Sequence, residues 1–123
     1  MLLDVLIVDD SAAIRKILRR VLAQAELPLG QVYEAGDGAE ALATLHANHI
    51  GLILSDINMP NMDGIELLGK IKANDAFKTV PIVMITTEGC QEKVLQALQL
   101  GASGFVRKPF TPDQIKGKLV GLY

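Results

Sequence analysis

Tryptophan is absent from the 123 residues, and the aromatics amount to two tyrosines and three phenylalanines. So few rings leave little with which to sandwich a flat redox cofactor. Cysteine occurs once, at Cys90, which excludes an internal disulfide framework and fits a reducing cytoplasm. There is no basic excess: twelve Lys and Arg stand against fourteen Asp and Glu, for a net charge of −2. The electrostatic footprint of a nucleic-acid binder is therefore missing. No apolar run approaches the roughly eighteen residues of a membrane span. The opening MLLDVLIVDD has no basic lead, and acids follow its apolar run at once, so it does not read as a signal peptide. Low-complexity tracts, interdomain linkers and repeats at a solenoid period are missing as well. These exclusions predict one cytoplasmic domain over 1–123, with no membrane span and no direct nucleic-acid contact. What the chain does have is apolar material. Half its residues are hydrophobic, enough for one sizeable core at the commonest domain length.

The apolar residues fall into alternating patterns. Leu3 to Val8, LDVLIV, reads as a strand that stops at Asp9-Asp10-Ser11. Ile14, Ile17, Leu18, Val21, Leu22 and Ala25 then recur at three and four, the stripe of a helix that Asp10 or Ser11 can cap. Pro28 and Gly30 close that unit. A strand at about Gln31 to Ala35 follows, and Asp37-Gly38 opens a second helix running to about Ala47. Ile50 to Ser55 is a continuous apolar run, suited to a strand buried on both faces. Ile65, Leu68 and Ile71 mark a third helix, and PIVMIT, Pro81 to Thr86, a fourth strand. Val94, Ala97, Leu98 and Gly101 share one side of a fourth helix, Ser103 to Arg107 is a short fifth strand, and Thr111 or Pro112 starts a last helix carrying Ile115, Leu119 and Leu122. Glycines at Gly117 and Gly121 weaken that last helix. Five strands alternating with five helices predict an α/β fold: a doubly wound parallel sheet with helices on both faces.

In open sheets of this kind, ligands bind at the carboxyl ends of strands. Strand one ends in Asp9 and Asp10, strand three in Asp56, strand four in Thr86 and Thr87, and strand five runs into Lys108-Pro109. If strands one and three are neighbours, three carboxylates converge. Clustered acids repel and raise one another's pKa values. A hard divalent cation resolves this, because Mg²⁺ favours oxygen ligands and commonly shares phosphate oxygens. Lys108 would add positive charge across the pocket, so the set suits a phosphoryl group.

Five stretches, VDDS at 8–11, EAGDGAEAL at 34–42, LSDINMPNMDG at 54–64, PIVMITTEG at 81–89 and GASGFVRKPF at 101–110, are spread along nearly the whole chain. Together they resemble the receiver domain of bacterial two-component response regulators, nearest to the small single-domain chemotaxis type. The resemblance implies a flavodoxin-like sheet in the order 2-1-3-4-5, an order the elements alone do not dictate. It implies that Asp56 is the phospho-acceptor, a carboxylate nucleophile that forms an acyl phosphate. Asp10 and Asp56 would hold Mg²⁺ (with Mn²⁺ as the alternative ion), together with the backbone carbonyl of Asn58; Asp9 would act directly or through a metal-bound water. Thr86 and Lys108 would each bond a phosphoryl oxygen, and the Lys108–Pro109 peptide would be cis. Phe105 takes the switch-aromatic position, where the family often has tyrosine; phenylalanine removes any partner contact through that hydroxyl. Thr86 would move inward on phosphorylation and the Phe105 ring would follow, reshaping the face of helix four, strand five and helix five. Asn58 and Glu88 occupy positions that tune acyl-phosphate lifetime. The phosphodonor would be a histidine kinase or a histidine phosphotransfer protein, and the output a downstream protein target. On this reading Asp56 is an acid exposed at a strand end because it must attack phosphorus.

Plainer roles compete at several positions. Asp37-Gly38 and Asp63-Gly64 read as turns and caps. Cys90 reads as inert packing, and His46 and His49 as residues near a helix end, where His favours the dipole. Arg15, Lys16, Arg19 and Arg20 form a basic side of helix one, either a solvated face or a docking surface for the donor. Gln91, Leu95, Gln96 and Gln99 give helix four a weakly charged outer side, with Leu95 a candidate partner contact. Three other functions remain to be weighed. A flavin carrier needs hydroxyls and backbone donors after strand one, where this chain has DDS. A metal-dependent phosphatase needs a general acid and a substrate cap, and neither is evident. A receiver-like scaffold that binds partners without phosphorylation would not need Thr86, Lys108 and the full acidic set. The chain ends at Tyr123, which fits either a single-domain regulator or a receiver cut from a longer response regulator or hybrid kinase.

Overall fold

The computed structural model describes residues 2–87 and 91–122. Glu88 and Cys90 lie outside the described residues. In chain order the elements are β1 (Leu3–Val8), α1 (Ala12–Gln24), β2 (Leu29–Ala35), α2 (Gly38–Ala47), β3 (Leu52–Asp56), α3 (Gly64–Lys72), β4 (Ile82–Thr86), α4 (Gln91–Gln99), β5 (Gly104–Arg107) and α5 (Pro112–Leu119). All strand pairings are parallel, and the sheet order is β2-β1-β3-β4-β5. This is the doubly wound flavodoxin-like architecture expected from the sequence.

Side-chain alternation divides the core in two. Leu6, Val8, Ile53 and Met84 point to one face, where they meet Ala41 and Leu45 of α2, Leu67, Leu68 and Ile71 of α3, and Val94 and Ala97 of α4. Val5, Ile7, Leu54, Val83 and Ile85 point to the other, where Leu18, Val21 and Leu22 of α1 and Ile115 and Leu119 of α5 cover them. Each fully buried Leu or Ile contributes roughly 1.5–3 kcal/mol relative to leaving it in water. Both faces of β3 and β4 are covered, and every residue of these strands is buried. This explains their unbroken apolar character.

Local chemistry sets the helix starts. Ser11, not Asp10, caps α1: its hydroxyl accepts from the Ile14 amide at 3.3 Å. Asp37 and Asp63 cap α2 and α3 by accepting from Glu40 and Glu66 amides, each at 2.8 Å. Thr111 and Gln114 form a reciprocal capping box on α5, with Pro112 in its first turn. Gly64 answers a close approach. A Cβ there would lie 2.1 Å from the Asp56 carbonyl oxygen, so only glycine lets α3 start against the end of β3.

The structure shifts several boundaries and exposures. β3 begins at Leu52 rather than Ile50, because Gly51 spends its amide on Asp4 of β1 and pairing starts at Val5↔Leu52. β4 and β5 each start one residue later than expected. Pro81 has no N–H to give to the ladder, while Ser103 joins it only through its amide to Ile82. Ile17 is 44% exposed and Leu98 is 39% exposed, so the buried stripes of α1 and α4 are narrower than the spacing suggests. Gly121 lies past the end of α5 with φ +90°, so only Gly117 interrupts that helix.

Candidate functional site

β1 and β3 are neighbours, and Val8 pairs with Ser55. The next residues, Asp9 and Asp56, therefore come off adjacent strand ends side by side. Asp10 follows on the loop into α1. One oxygen from each of Asp9, Asp10 and Asp56 lies within 4.8 Å of the others. Asp9 is almost wholly enclosed and Asp10 is exposed. The cluster thus has a sealed wall and an open mouth.

Each acid is held by backbone geometry. The Asp9 amide donates to the Ala35 carbonyl at the end of β2 (3.1 Å), and its Oδ1 accepts from the Ser11 amide (2.9 Å). Asp56 Oδ1 accepts from the Ile57 amide at 2.8 Å. Contrary to the expectation of an exposed acid, Asp56 is only 8% exposed. Burial pushes the Asp56 carboxyl above its ordinary range. Lys108 opposes that rise, Asp9 adds to it, and the Ile57 and Asn58 amides oppose it.

Lys108 enters from the β5–α5 loop. Its amide donates to the Thr86 carbonyl (2.7 Å), and the Lys108–Pro109 peptide is cis. Lys108 Nζ stands 3.1 Å from Asp9 Oδ2 and 3.6 Å from Asp56 Oδ2. Lys108 thus meets two of the three clustered carboxylates, and burial still holds the Asp56 carboxyl above its ordinary range. An all-oxygen donor set with surplus negative charge fits a hard divalent cation such as Mg²⁺ or Mn²⁺.

Thr86 ends β4, nearly buried, and its hydroxyl donates to the Thr87 carbonyl at 3.2 Å. Met84 pairs with Phe105 and Thr86 with Arg107. Thr86 and Phe105 line one hollow of about 260 Å³ with Gln91, Val94, Leu95, Leu98 and Arg107. The Phe105 ring is half-buried against the core, with Lys118 Nζ 5.5 Å from its centroid. Gln96 and Gln99 are exposed on α4, as is Leu95 at 61%. Asn58 is exposed on the loop after β3, and its Oδ1 accepts from Lys93 Nζ of α4 at 2.8 Å. Glu88 cannot be placed beside it, since it lies outside the described residues.

The structure adds contacts that sequence patterns do not carry. The basic side of α1 is half consumed: Arg15 and Arg19 both pair with Glu34 of β2. Nothing in the spacing of these residues announces a partner on another element. The Lys93–Asn58 contact spans thirty-five positions and has no local signature either. His46 packs edge-on to Phe77 with centroids 5.0 Å apart, a structural role.

An open parallel sheet with an acid-and-lysine pocket at its carboxyl edge defines a phosphate- or metal-handling domain of the flavodoxin-like class. Comparison with known proteins narrows this to one family. The model of the response regulator receiver domain matches residues 5–120. The chain is 42% identical to Chemotaxis protein CheY1 of Helicobacter pylori over 118 residues, 95% of this chain and 94% of that protein. It is 36% identical to Chemotaxis protein CheY of Pseudomonas aeruginosa over 121 residues, 98% of this chain and 96% of that one. A solved structure of the chemotaxis response regulator CheY4 of Vibrio cholerae superimposes with a TM-score of 0.87 at 36% identity, covering 100% of both chains. The chain belongs to the response regulator receiver family, and its class is that of a two-component signalling domain. Among the described residues, no helix is long and apolar enough to cross a membrane.

Proposed function

We propose that the chain is a phosphorylation-activated switch in which Asp56 accepts a phosphoryl group in a Mg²⁺-dependent reaction. The observation that carries this reading is the cluster of Asp9, Asp10 and Asp56 at the carboxyl edge of the sheet, with Lys108 beside Asp9 and Asp56. The donor is a phosphohistidine on a histidine kinase or histidine phosphotransfer protein. An Asp56 carboxylate oxygen forms the new O–P bond. The donor P–N bond breaks, and its electron pair stays on the histidine nitrogen. Asp10, Asp56, the Asn58 carbonyl and Asp9 would hold the metal ion, which supplies charge neutralisation for the transferring group. Lys108, already in the pocket, pairs with one phosphoryl oxygen, and the Thr86 hydroxyl leaves the Thr87 carbonyl to bond another. No separate substrate is turned over; the domain promotes its own phosphorylation and dephosphorylation, with Asn58 and Glu88 setting the lifetime.

The signal leaves through α4, β5 and α5. Movement of Thr86 opens the hollow it shares with Phe105, and the ring has room to turn inward. Gln91, Leu95, Gln96 and Gln99 then present a changed surface to a downstream protein. The likeness to proteins named for chemotaxis favours that pathway and a cytoplasmic setting. We read residues 1–123 as one receiver unit. The test is incubation with a small-molecule phosphodonor and Mg²⁺, followed by intact mass. Wild type gains one phosphoryl group and Asp56→Asn gains none; Lys108→Ala still binds Mg²⁺ but does not switch. Equal labelling of Asp56→Asn would remove the acceptor assignment.

A further inference from the structure

The wall of the pocket behind Asp9 is held by a charge relay on the far side from the acids. Arg15, on the first turns of α1, donates through Nε to Glu34 Oε1 (2.9 Å) and through Nη1 to the Asp9 backbone carbonyl. Both backbone polar groups of Asp9 are then tied, its amide to Ala35 and its carbonyl to Arg15, while its carboxylate bonds the Ser11 amide and Lys108. Arg19 bonds the other oxygen of Glu34 and the Val32 carbonyl (2.6 Å), with no hydrogen bond to the Asp9–Asp10 loop. We propose that Arg15 is a positioning residue for the metal pocket, fixing the Asp9–Asp10 loop through the Asp9 carbonyl while Glu34 offsets its charge. The inference rests on the metal-dependent acceptor reading and deepens it.

The arrangement solves a conflict. A guanidinium can hold the loop rigidly because its planar fork serves two acceptors at once. A bare cation so near the pocket would also repel Mg²⁺. Glu34 removes that penalty, and the two arginines keep its carboxyl below the ordinary range, the Arg19 hydrogen bond being the largest cause. Glu34 therefore stays ionised. Partners that orient a metal ligand from outside the coordination shell typically change affinity by about 10–100-fold when removed. Arg15 acts through one backbone bond, so the low end applies.

Arg19 supplies the control. It shares Glu34 and a β2 carbonyl with Arg15, so its loss perturbs the same ion pair without touching Asp9. The chain has no tryptophan to report binding, so Mg²⁺ affinity of the unphosphorylated full chain is read by amide NMR titration. Thermal melts of each variant accompany it. Arg15→Ala and Arg15→Met, which keeps the packing of the stem, should each bind Mg²⁺ about tenfold more weakly. Arg19→Ala, which has no bond to the ligand loop, should bind Mg²⁺ like wild type. Equal weakening in the Arg15 and Arg19 variants, or wild-type affinity in a folded Arg15→Met, would overturn the assignment. If wild type itself takes up no Mg²⁺, the acceptor reading falls and the assignment with it. If wild type binds and the Arg15 variants match it, only the assignment falls.

Discussion

α1 and α4 each follow a strand that ends at the acidic pocket, yet they are anchored very differently. α1 buries Leu18, Val21 and Leu22, and Arg15 and Arg19 tie it to Glu34 of β2. α4 buries only Val94 and Ala97, and leaves Leu95 61% and Leu98 39% exposed. Among the described residues, an exposed hydrogen bond from Lys93 to Asn58 links it toward the pocket. An element with few buried contacts can shift at low free-energy cost, whereas one with many cannot. On the proposed function, this difference suits the α1 side to holding the acids still and the α4 side to carrying the change outward.

The strongest way to break this comparison is to empty one core contact on each side. Leu22→Ala on α1 should destabilise by about 3 kcal/mol, since the side chain is fully buried in a well-packed face. Val94→Ala on α4 should cost about 1–2 kcal/mol, reflecting a smaller side chain in a thinner layer. Urea unfolding with constant m-value reads both. Equal losses would mean that the two helices are anchored alike.

A smaller effect concerns the pocket between them. Because the folded state raises the Asp56 carboxyl, it holds that proton more firmly than the unfolded chain does. Stability from this group is full below the ordinary carboxyl range and is lost as pH rises through the folded value. Asp56→Asn removes that loss, so at neutral pH without Mg²⁺ the variant should melt higher than wild type. A pH series of melts checks the sign: the wild-type curve falls relative to the variant across the acid range and then runs parallel. An Asp56→Asn variant that melts lower would show that the carboxylate stabilises the fold.

The smallest expected changes lie on α4. Leu95→Ala, at an exposed position, should move stability by no more than about 0.5 kcal/mol. It should nonetheless weaken capture of the downstream partner once that partner is in hand. Lys93→Ala removes one exposed hydrogen bond, worth about 0–1 kcal/mol. Amide exchange should speed up in the loop around Asn58 and stay unchanged at Asp9. Faster exchange at Asp9 would mean that the two sides are coupled more tightly than their contacts suggest.

Element order and type were legible because strands and helices differ in hydrophobic period and their boundaries carry Gly, Pro and Asp. The acids Asp9, Asp10 and Asp56 were legible as strand-end residues, but their neighbourhood needs the sheet order, and spacing alone does not supply it. The burial of Asp56 was misread, since a strand end carries no local signal of what packs around it. Ile17 and Leu98 look like core by periodicity and are not, because stripe width depends on how far each helix stands from the sheet. Arg15 and Arg19 read as part of a basic side of α1, and their pairing with Glu34 appears only once α1 is laid against β2. Contacts between elements carry no period, and these are the parts the sequence leaves silent.

The most direct measurement is a two-dimensional amide NMR titration with Mg²⁺ and then beryllofluoride, a stable mimic of the aspartyl phosphate. The account predicts shifts at Asp10, Asp56 and Asn58 with Mg²⁺, spreading to Thr86, Phe105 and α4 with the mimic while the body of α1 stays still. A spectrum that both additions leave unchanged, or one that Asp56→Asn reproduces with the mimic, would contradict it.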